Sequence, residues 1–520
     1  MSSTTAAKRV LLLTNSEHGQ ANVFLAVSYA LLTLEDEDVE VHFASFPAIR
    51  PFVSTTSEHA QRDKPGARPI LFHSIGGIDI VSAWTRPEIV AQQAALNKRS
   101  SISLLNAIRR TLVLLQVTLP WTGPEFVQIM PSVAGITRSV QTDIIAVDPA
   151  FSPALTVLRH LKAHFIILSP NTIKDFAMPF QPNAEALWKY PCTGTNFPFL
   201  IPAHHLPSNT LLILLSLITS LFFDPRRRAV SQYLRTHYLA NLPAIEFPLK
   251  RIPQHVLPCG PMLRPARPVA EADPELDAWL HRGGKTVYIN LGTHVYFDDE
   301  GDGDMAAQMA GAVRVLLDRA REQGGKKGHG GAAFGRGEEV VRRILGEEVE
   351  RDVVWVVDWV EAEPTAVLDS GTVACAVHHG GANSFLETVS AGVPQVVLPL
   401  WMDTFDFARR AEILEIGRWG NRLAGKLCES NELGSMLVDV VIGDRSPAYA
   451  QKARELAELC RSSGGGRAIA ARHILAEIGH DIPEVGKGIP TSQLTGIVPQ
   501  TNESPNGFLQ RCRVGGSTSI

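Results

Sequence analysis

Residues 373–403, VACAVHHGGANSFLETVSAGVPQVVLPLWMD, decide the fold. VACAVHH is a continuous apolar run that stops at Gly380-Gly381. From Asn383 the apolar positions recur at helical spacing, and QVVLPL (395–400) is a second short apolar run. Strand, glycine turn, helix and strand in that order form the repeating unit of a parallel sheet. Uninterrupted rather than alternating apolar runs mean that both faces of each strand are covered.

Working outward, the same unit recurs. KTVYINLG (285–292), a helix around 304–322 and VVWVVDW (353–359) lie upstream, and a helix from Phe405 lies downstream. The amino-terminal half repeats the pattern. RVLLLT (9–14), a helix over 22–34 and VEVHFASF (39–46) come first, followed by DIIAVD (143–148), a helix over 152–162 and HFIILS (164–169). A chain of 520 residues, 45% apolar, exceeds the roughly 250–300 residues at which single cores stop growing. The expected fold class is α/β, with two doubly wound Rossmann-like domains facing across a cleft. Proline-rich sequence from Pro243 to Pro274 marks the join. The expected domains are residues 1–245, a linker over 246–273, and residues 274–480. Residues 481–520, poor in apolar periodicity, form a tail expected to be disordered. Residues 324–337, GGKKGHGGAAFGRG, read as an exposed insertion too rich in glycine to order itself.

A net charge of −4 gives no long-range attraction for nucleic acid. Six scattered cysteines show neither CxxC pairs nor metal spacing with histidine, so they read as buried thiols of a reducing compartment. MSSTTAAKRV runs directly into the first strand without a secretory pattern, which points to the cytoplasm. The most apolar stretch, residues 211–223, is short of the about 20 residues needed to span a bilayer. It reads as a buried helix or, with Arg226, Arg227 and Arg228 following, as part of a peripheral membrane contact over 211–228.

The chemistry is densest at His378-His379-Gly380-Gly381-Ala382-Asn383-Ser384-Phe385-Leu386-Glu387. A glycine pair lets the backbone approach a ligand closely, and the amides and positive end of the following helix suit a pyrophosphate. Asn383 and Ser384 could equally be plain helix caps. HxGxNSxxE, then GVP, then PxxxD ending at Asp403, resembles the donor signature of glycosyltransferase family 1, the UDP-glycosyltransferases. NLGTH (290–294) and DTFDFARRAEILEIGRWGNR (403–422) resemble its fungal members.

The resemblance implies a GT-B fold and a UDP-sugar donor. By it, His379, Gly381, Asn383 and Ser384 hold the diphosphate and Thr293 closes from the preceding loop. Glu387 takes two ribose hydroxyls, Asp403 takes hydroxyls of the transferred sugar, and Trp359 stacks on uracil. Three positions depart from the plant form of the motif: Thr404 replaces the glutamine after the aspartate, Ala382 replaces a tryptophan, and the stretch after Trp359 is longer and lacks its glutamine. The sugar is therefore set by family frequency alone, as glucose.

Inverting transfer needs a base for the acceptor hydroxyl, and histidine suits with its ordinary pKa of about 6.5. His18, in the loop after the first strand, reads as a solvated or capping residue by loop composition. By resemblance it falls at the family's catalytic base, although Glu17 and Ala21 replace the usual glycine and proline. Asp148, at the carboxyl end of DIIAVD, resembles the partner aspartate that orients such a base. Asp143, at the other end of that strand, should face away.

This scheme demands no metal or cofactor. Asp302 and Asp304, in DDEGDGD (298–304), form a DxD that reads as a solvated loop. The acceptor pocket, from about residues 50–130 and 171–225, is rich in Leu, Phe, Trp and Pro. A small lipophilic alcohol, phenol or sterol is the expected partner. Two rivals share the donor site: a UDP-sugar epimerase, and a catalytically silent nucleotide-sugar-binding protein.

Overall fold

The computed structural model describes residues 7–87, 120–193, 195, 197–223, 238–240, 252–254, 256–282, 284–292, 303–323, 330–332, 338–357, 359–401, 403–424, 428–462 and 465–478. Two all-parallel sheets organise them. The first contains β1 (Lys8–Leu13), β2 (Val39–Ser45), β3 (Leu71–Ser74), β4 (Ile144–Val147), β5 (Phe165–Leu168), β6 (Tyr238–Ala240) and β7 (Val256–Pro258), in the order β3-β2-β1-β4-β5-β6-β7. The second contains β8 (Thr286–Ile289), β9 (Gly330–Ala332), β10 (Val354–Trp355), β11 (Val373–His378), β12 (Gln395–Val397) and β13 (Gly417–Trp419), in the order β10-β9-β8-β11-β12-β13. Both are doubly wound, so strand order reverses beside β1 and beside β8, where ligand crevices open at the carboxyl ends of the strands.

The helices used below are α1 (His18–Thr33), α2 (Arg50–Asp63), α3 (Ile173–Ala177), α4 (Leu206–Phe223), α5 (Gly303–Glu322), α6 (Pro364–Asp369), α7 (Ala382–Ala391), α8 (Thr404–Ile413) and α9 (Gly466–Ala476). Each sheet has its own core. Leu11, Leu13, Ile145, Val147 and Ile167 belong to one. Val287, Ile289, Val377 and Val396, packed under α5, belong to another. Each such side chain, fully buried, contributes about 1.5–3 kcal/mol.

Most expected strands are present, some shortened: VVWVVDW keeps only Val354–Trp355 as strand. The glycine-rich stretch is corrected in part. Gly330–Ala332 is ordered as β9, hydrogen-bonded between β8 and β10 with Tyr288 opposite Gly331 and Val354 opposite Gly330. Strand pairing on both sides supplies the order that glycine lacks by itself. His329 lies outside the described residues, as do Thr293, Asp302, Arg226–Arg228 and residues 479–520. Within the proline-rich stretch, Val256–Pro258 pairs with β6 as the edge strand of the first sheet.

In α4, Leu212 is buried, whereas Leu211 and Leu214 are 48% and 40% exposed. Among the described residues no helix is long and apolar enough to cross a membrane. Cys192, Cys259, Cys375, Cys428 and Cys460 are buried thiols, as expected. The chain finally returns to its first half. α9 packs on α1, and Gly466 approaches so closely that a methyl group there would lie 2.4 Å from the carbonyl oxygens of Gly260 and Pro261.

Candidate active site

The carboxyl ends of β8, β11 and β12 build one wall. His378, the last residue of β11, is buried. Its Nδ1 accepts from the Gly380 amide at 3.0 Å, so Nε2 carries the proton and donates to Gln395 Oε1 at 2.7 Å. Burial drives its pKa down to about 4, which keeps it neutral. The pair fixes the turn at Gly380, where φ of +83° suits glycine and a Cβ would strike Val397 and Thr404 at 2.9 Å.

That turn presents His379. A methyl group on Gly381 would lie 2.4 Å from His379 Nε2, and one on Gly292 would lie 2.8 Å from its Cε1. The imidazole is thus clamped between two glycine faces, with the Trp401 ring 5.3 Å away. α7 starts at Ala382 with Gly381 as its N-cap and no side-chain cap, so the first-turn amides of Asn383 and Ser384 are not covered by a capping side chain. An anion placed there meets backbone N–H groups, the helix dipole and an imidazole together.

Glu387 stands one turn further along α7, half-buried. Desolvation pushes its pKa up to about 7; the Arg264 charge opposes this and the Glu363 charge adds to it. Asn290 prepares the loop opposite, donating from Nδ2 to the Tyr288 hydroxyl at 2.7 Å and accepting from the Gly292 amide at 2.9 Å. Trp359 is 69% exposed and presents its indole to solvent. The 400–404 turn carries Asp403, whose pKa is also raised to about 7, first by burial and then by the nearby charges of Asp175, Asp406 and Glu17. Thr404 is buried, and its hydroxyl closes this turn by accepting from the Leu400 and Trp401 amides at 3.2 and 3.0 Å.

The first sheet supplies the facing wall. α1 opens at His18, with Glu17 as its N-cap accepting from the Gly19 and Gln20 amides at 2.8 Å each. The His18 ring meets Phe52 of α2 edge-on, centroids 4.6 Å apart. Asp148 is completely buried beyond β4 and accepts from Thr14 Oγ1 (3.1 Å), Asn15 Nδ2 (2.7 Å) and the Ala150 amide (2.7 Å). Desolvation outweighs those donors and lifts its pKa to about 7. Asp143 lies at the opposite end of the strand, where it accepts from the Arg9 amide at 2.7 Å.

The two walls belong to one site. α1 touches α7, and the Glu17 charge acts on both Asp148 and Asp403. Across the crevice, Lys174 of α3 binds Asp406 of α8 at 2.5 Å, and both are buried. Sequence reading missed the pairing of Lys174 with Asp406, the pairing of His378 with Gln395, and Arg264, because a motif marks His378 and the stretch around Asp406 but not the distant side chains that meet them. Among the described residues no group of three or more His, Cys, Asp or Glu side chains is arranged to hold a metal ion.

Four known proteins or families resemble the chain. Residues 346–473 match the family model described as erythromycin biosynthesis protein CIII-like, C-terminal domain. The chain is 31% identical over 515 residues to glycosyltransferase sdnJ of Sordaria araneosa, covering 88% of this chain and 96% of that protein. It is 29% identical to UDP-glycosyltransferase 84A2 of Arabidopsis thaliana over 234 residues, 41% of this chain and 44% of that one. Among solved structures, a UDP-glucosyltransferase from Polygonum tinctorium capable of glucosylating indoxyl superposes with a TM-score of 0.61 at 15% identity, covering 92% of this chain and all of that one. At that identity the likeness speaks to the fold alone.

Proposed function

The chain belongs to the UDP-glycosyltransferases of glycosyltransferase family 1 and transfers a sugar, and from that premise we propose an inverting transfer of a hexose, glucose first among candidates, from its UDP derivative to a hydroxyl of a small lipophilic acceptor. The observation that carries this reading is the glycine-clamped His379 at an N-terminus of α7 lacking a side-chain cap, with Glu387 one turn on. One helix thereby carries both the residues read as the diphosphate site and the carboxylate read as the ribose acceptor.

In the proposed reaction, His379, Gly381, Asn383 and Ser384 hold the diphosphate with Thr293, Trp359 stacks on uracil, and Asp403 binds sugar hydroxyls in a turn held by Thr404. His18 removes the acceptor proton as its oxygen attacks the anomeric carbon from the face opposite UDP. Asp148 orients His18 and stabilises the imidazolium. As the glycosidic bond to UDP breaks, α7 amides and His379 receive the developing phosphate charge. No metal is required by this scheme, and the exposed leucines of α4 suit a lipophilic acceptor or a peripheral membrane contact. We propose residues 1–245 as the acceptor domain and 274–480 as the donor domain.

The test is thermal stabilisation by UDP, UDP-glucose, UDP-N-acetylglucosamine and a thymidine analogue in EDTA, beside a Glu387→Ala variant. Ligand at a hundred times its dissociation constant stabilises by about 2.7 kcal/mol. A uridine-specific shift lost in the variant is expected. No shift with any nucleotide, in folded protein, overturns the donor site.

A further inference from the structure

The turn that carries Asp403 is anchored to the opposite half of the molecule. Asp403 immediately precedes α8, and the Asp406 amide donates to its carbonyl at 2.8 Å. The Asp406 side chain then leaves its own half. Oδ2 meets Lys174 Nζ at 2.5 Å and Oδ1 meets Arg409 Nη1 at 2.6 Å. Arg409 continues across, donating from Nε to the Phe197 carbonyl at 2.6 Å and from Nη2 to the Thr195 carbonyl. All three charged side chains are nearly inaccessible to solvent.

Such a network is expensive as a mere fastening, because desolvating buried charges offsets most of their attraction, and apolar packing would serve as well. What it adds is direction: a lysine and an aspartate 232 positions apart in the chain fix one another within a hydrogen-bond length. We propose that Lys174, acting through Asp406, is a positioning residue for the transferred sugar. It sets the Asp403 turn relative to the acceptor-side wall, so that the sugar subsite is built jointly by both halves while the UDP subsite on α7 belongs to one. This rests on the role proposed above for Asp403.

The Asp406 amide bonds directly to the Asp403 carbonyl, whereas α8 meets α7 through apolar ring contacts such as Phe407 on Phe385, so loss of the network should weaken sugar binding more than nucleotide binding. Binding of UDP, and of whichever of UDP-glucose, UDP-galactose and UDP-N-acetylglucosamine the native protein holds best, is measured by calorimetry on native protein, K174M, D406N and D403A. K174M leaves Asp406 paired with Arg409, and D406N leaves Lys174 beside Asp175 at 3.5 Å and Arg409 on the Phe197 and Thr195 carbonyls, so no remaining charge is stripped of every partner. The expected result for K174M and D406N is UDP affinity within twofold of native, UDP-sugar affinity at least fivefold weaker, and a flattened preference among the three sugars. Native UDP-sugar affinity and preference in folded K174M overturns the proposal, and so does equal weakening of UDP and UDP-sugar, which marks a general structural role. Should K174M fail to fold by circular dichroism, native sugar binding in D406N overturns it instead. If D403A binds the UDP-sugar as well as native protein does, the role of Asp403 itself falls, independently of Lys174.

Discussion

The donor site should titrate near neutrality, and Glu387 is the group responsible. A carboxylate that accepts two ribose hydroxyls must be ionised, yet burial beside Glu363 raises the Glu387 pKa to about 7, with Arg264 opposing and the Tyr288 phenol also facing it. If only the ionised form binds, apparent affinity scales with the ionised fraction, roughly one eleventh at pH 6 and ten elevenths at pH 8. Affinity should therefore rise roughly tenfold from pH 6 to pH 8. Uridine is the ligand to use, because the phosphates of UDP titrate with a pKa of about 6 in the same window. Calorimetry across that range on native protein and on Glu387→Gln should give a slope for the first and a flat, weaker line for the second. Identical pH dependence in the two proteins would refute the reasoning.

His18→Ala should reduce turnover by about 10²–10⁴-fold with UDP affinity unchanged, read from kcat beside calorimetric titration. Trp359→Ala should leave the melting temperature in place, since the indole is largely exposed. It should weaken UDP by about 1–3 kcal/mol if the ring stacks on the base. Gly381→Ala places a methyl group against His379 Nε2, so the imidazole must leave its clamp. UDP affinity should fall at least tenfold with only a small change in melting temperature by scanning calorimetry.

How much of this was legible in the sequence depended on whether order arises locally. β1, β4 and β11 announce themselves as continuous apolar runs, and the glycine pair marks the proposed phosphate site, where a Cβ at Gly380 would strike Val397 and Thr404 and one at Gly381 would strike the His379 ring. β9 was hidden, since Gly330-Gly331 has no strand signal of its own and is ordered by β8 and β10 on either side. Lys174 and Asp406 look like ordinary surface charges in a helix, and only the juxtaposition of the two halves buries them. Thr404 shows the same limit: the motif marks its position, but the fold turns its hydroxyl into the 400–404 turn.

The return of α9 to α1 bears on how the protein is made. Arg467 lies over the Tyr29 ring, 4.7 Å from its centroid, and donates to the Leu263 carbonyl at 2.9 Å, so α9 completes a layer begun by α1. More than 400 residues separate α1 from α9. At translation rates of about 5–20 residues per second, that is roughly 20–90 s during which the nascent first half stands with one flank of α1 bare. The ribosome-bound intermediate is thus a natural client for chaperones that shield apolar helices. A chain stopped before Gly466 should leave that flank of α1 permanently open, which a lowered melting temperature against the intact protein would report.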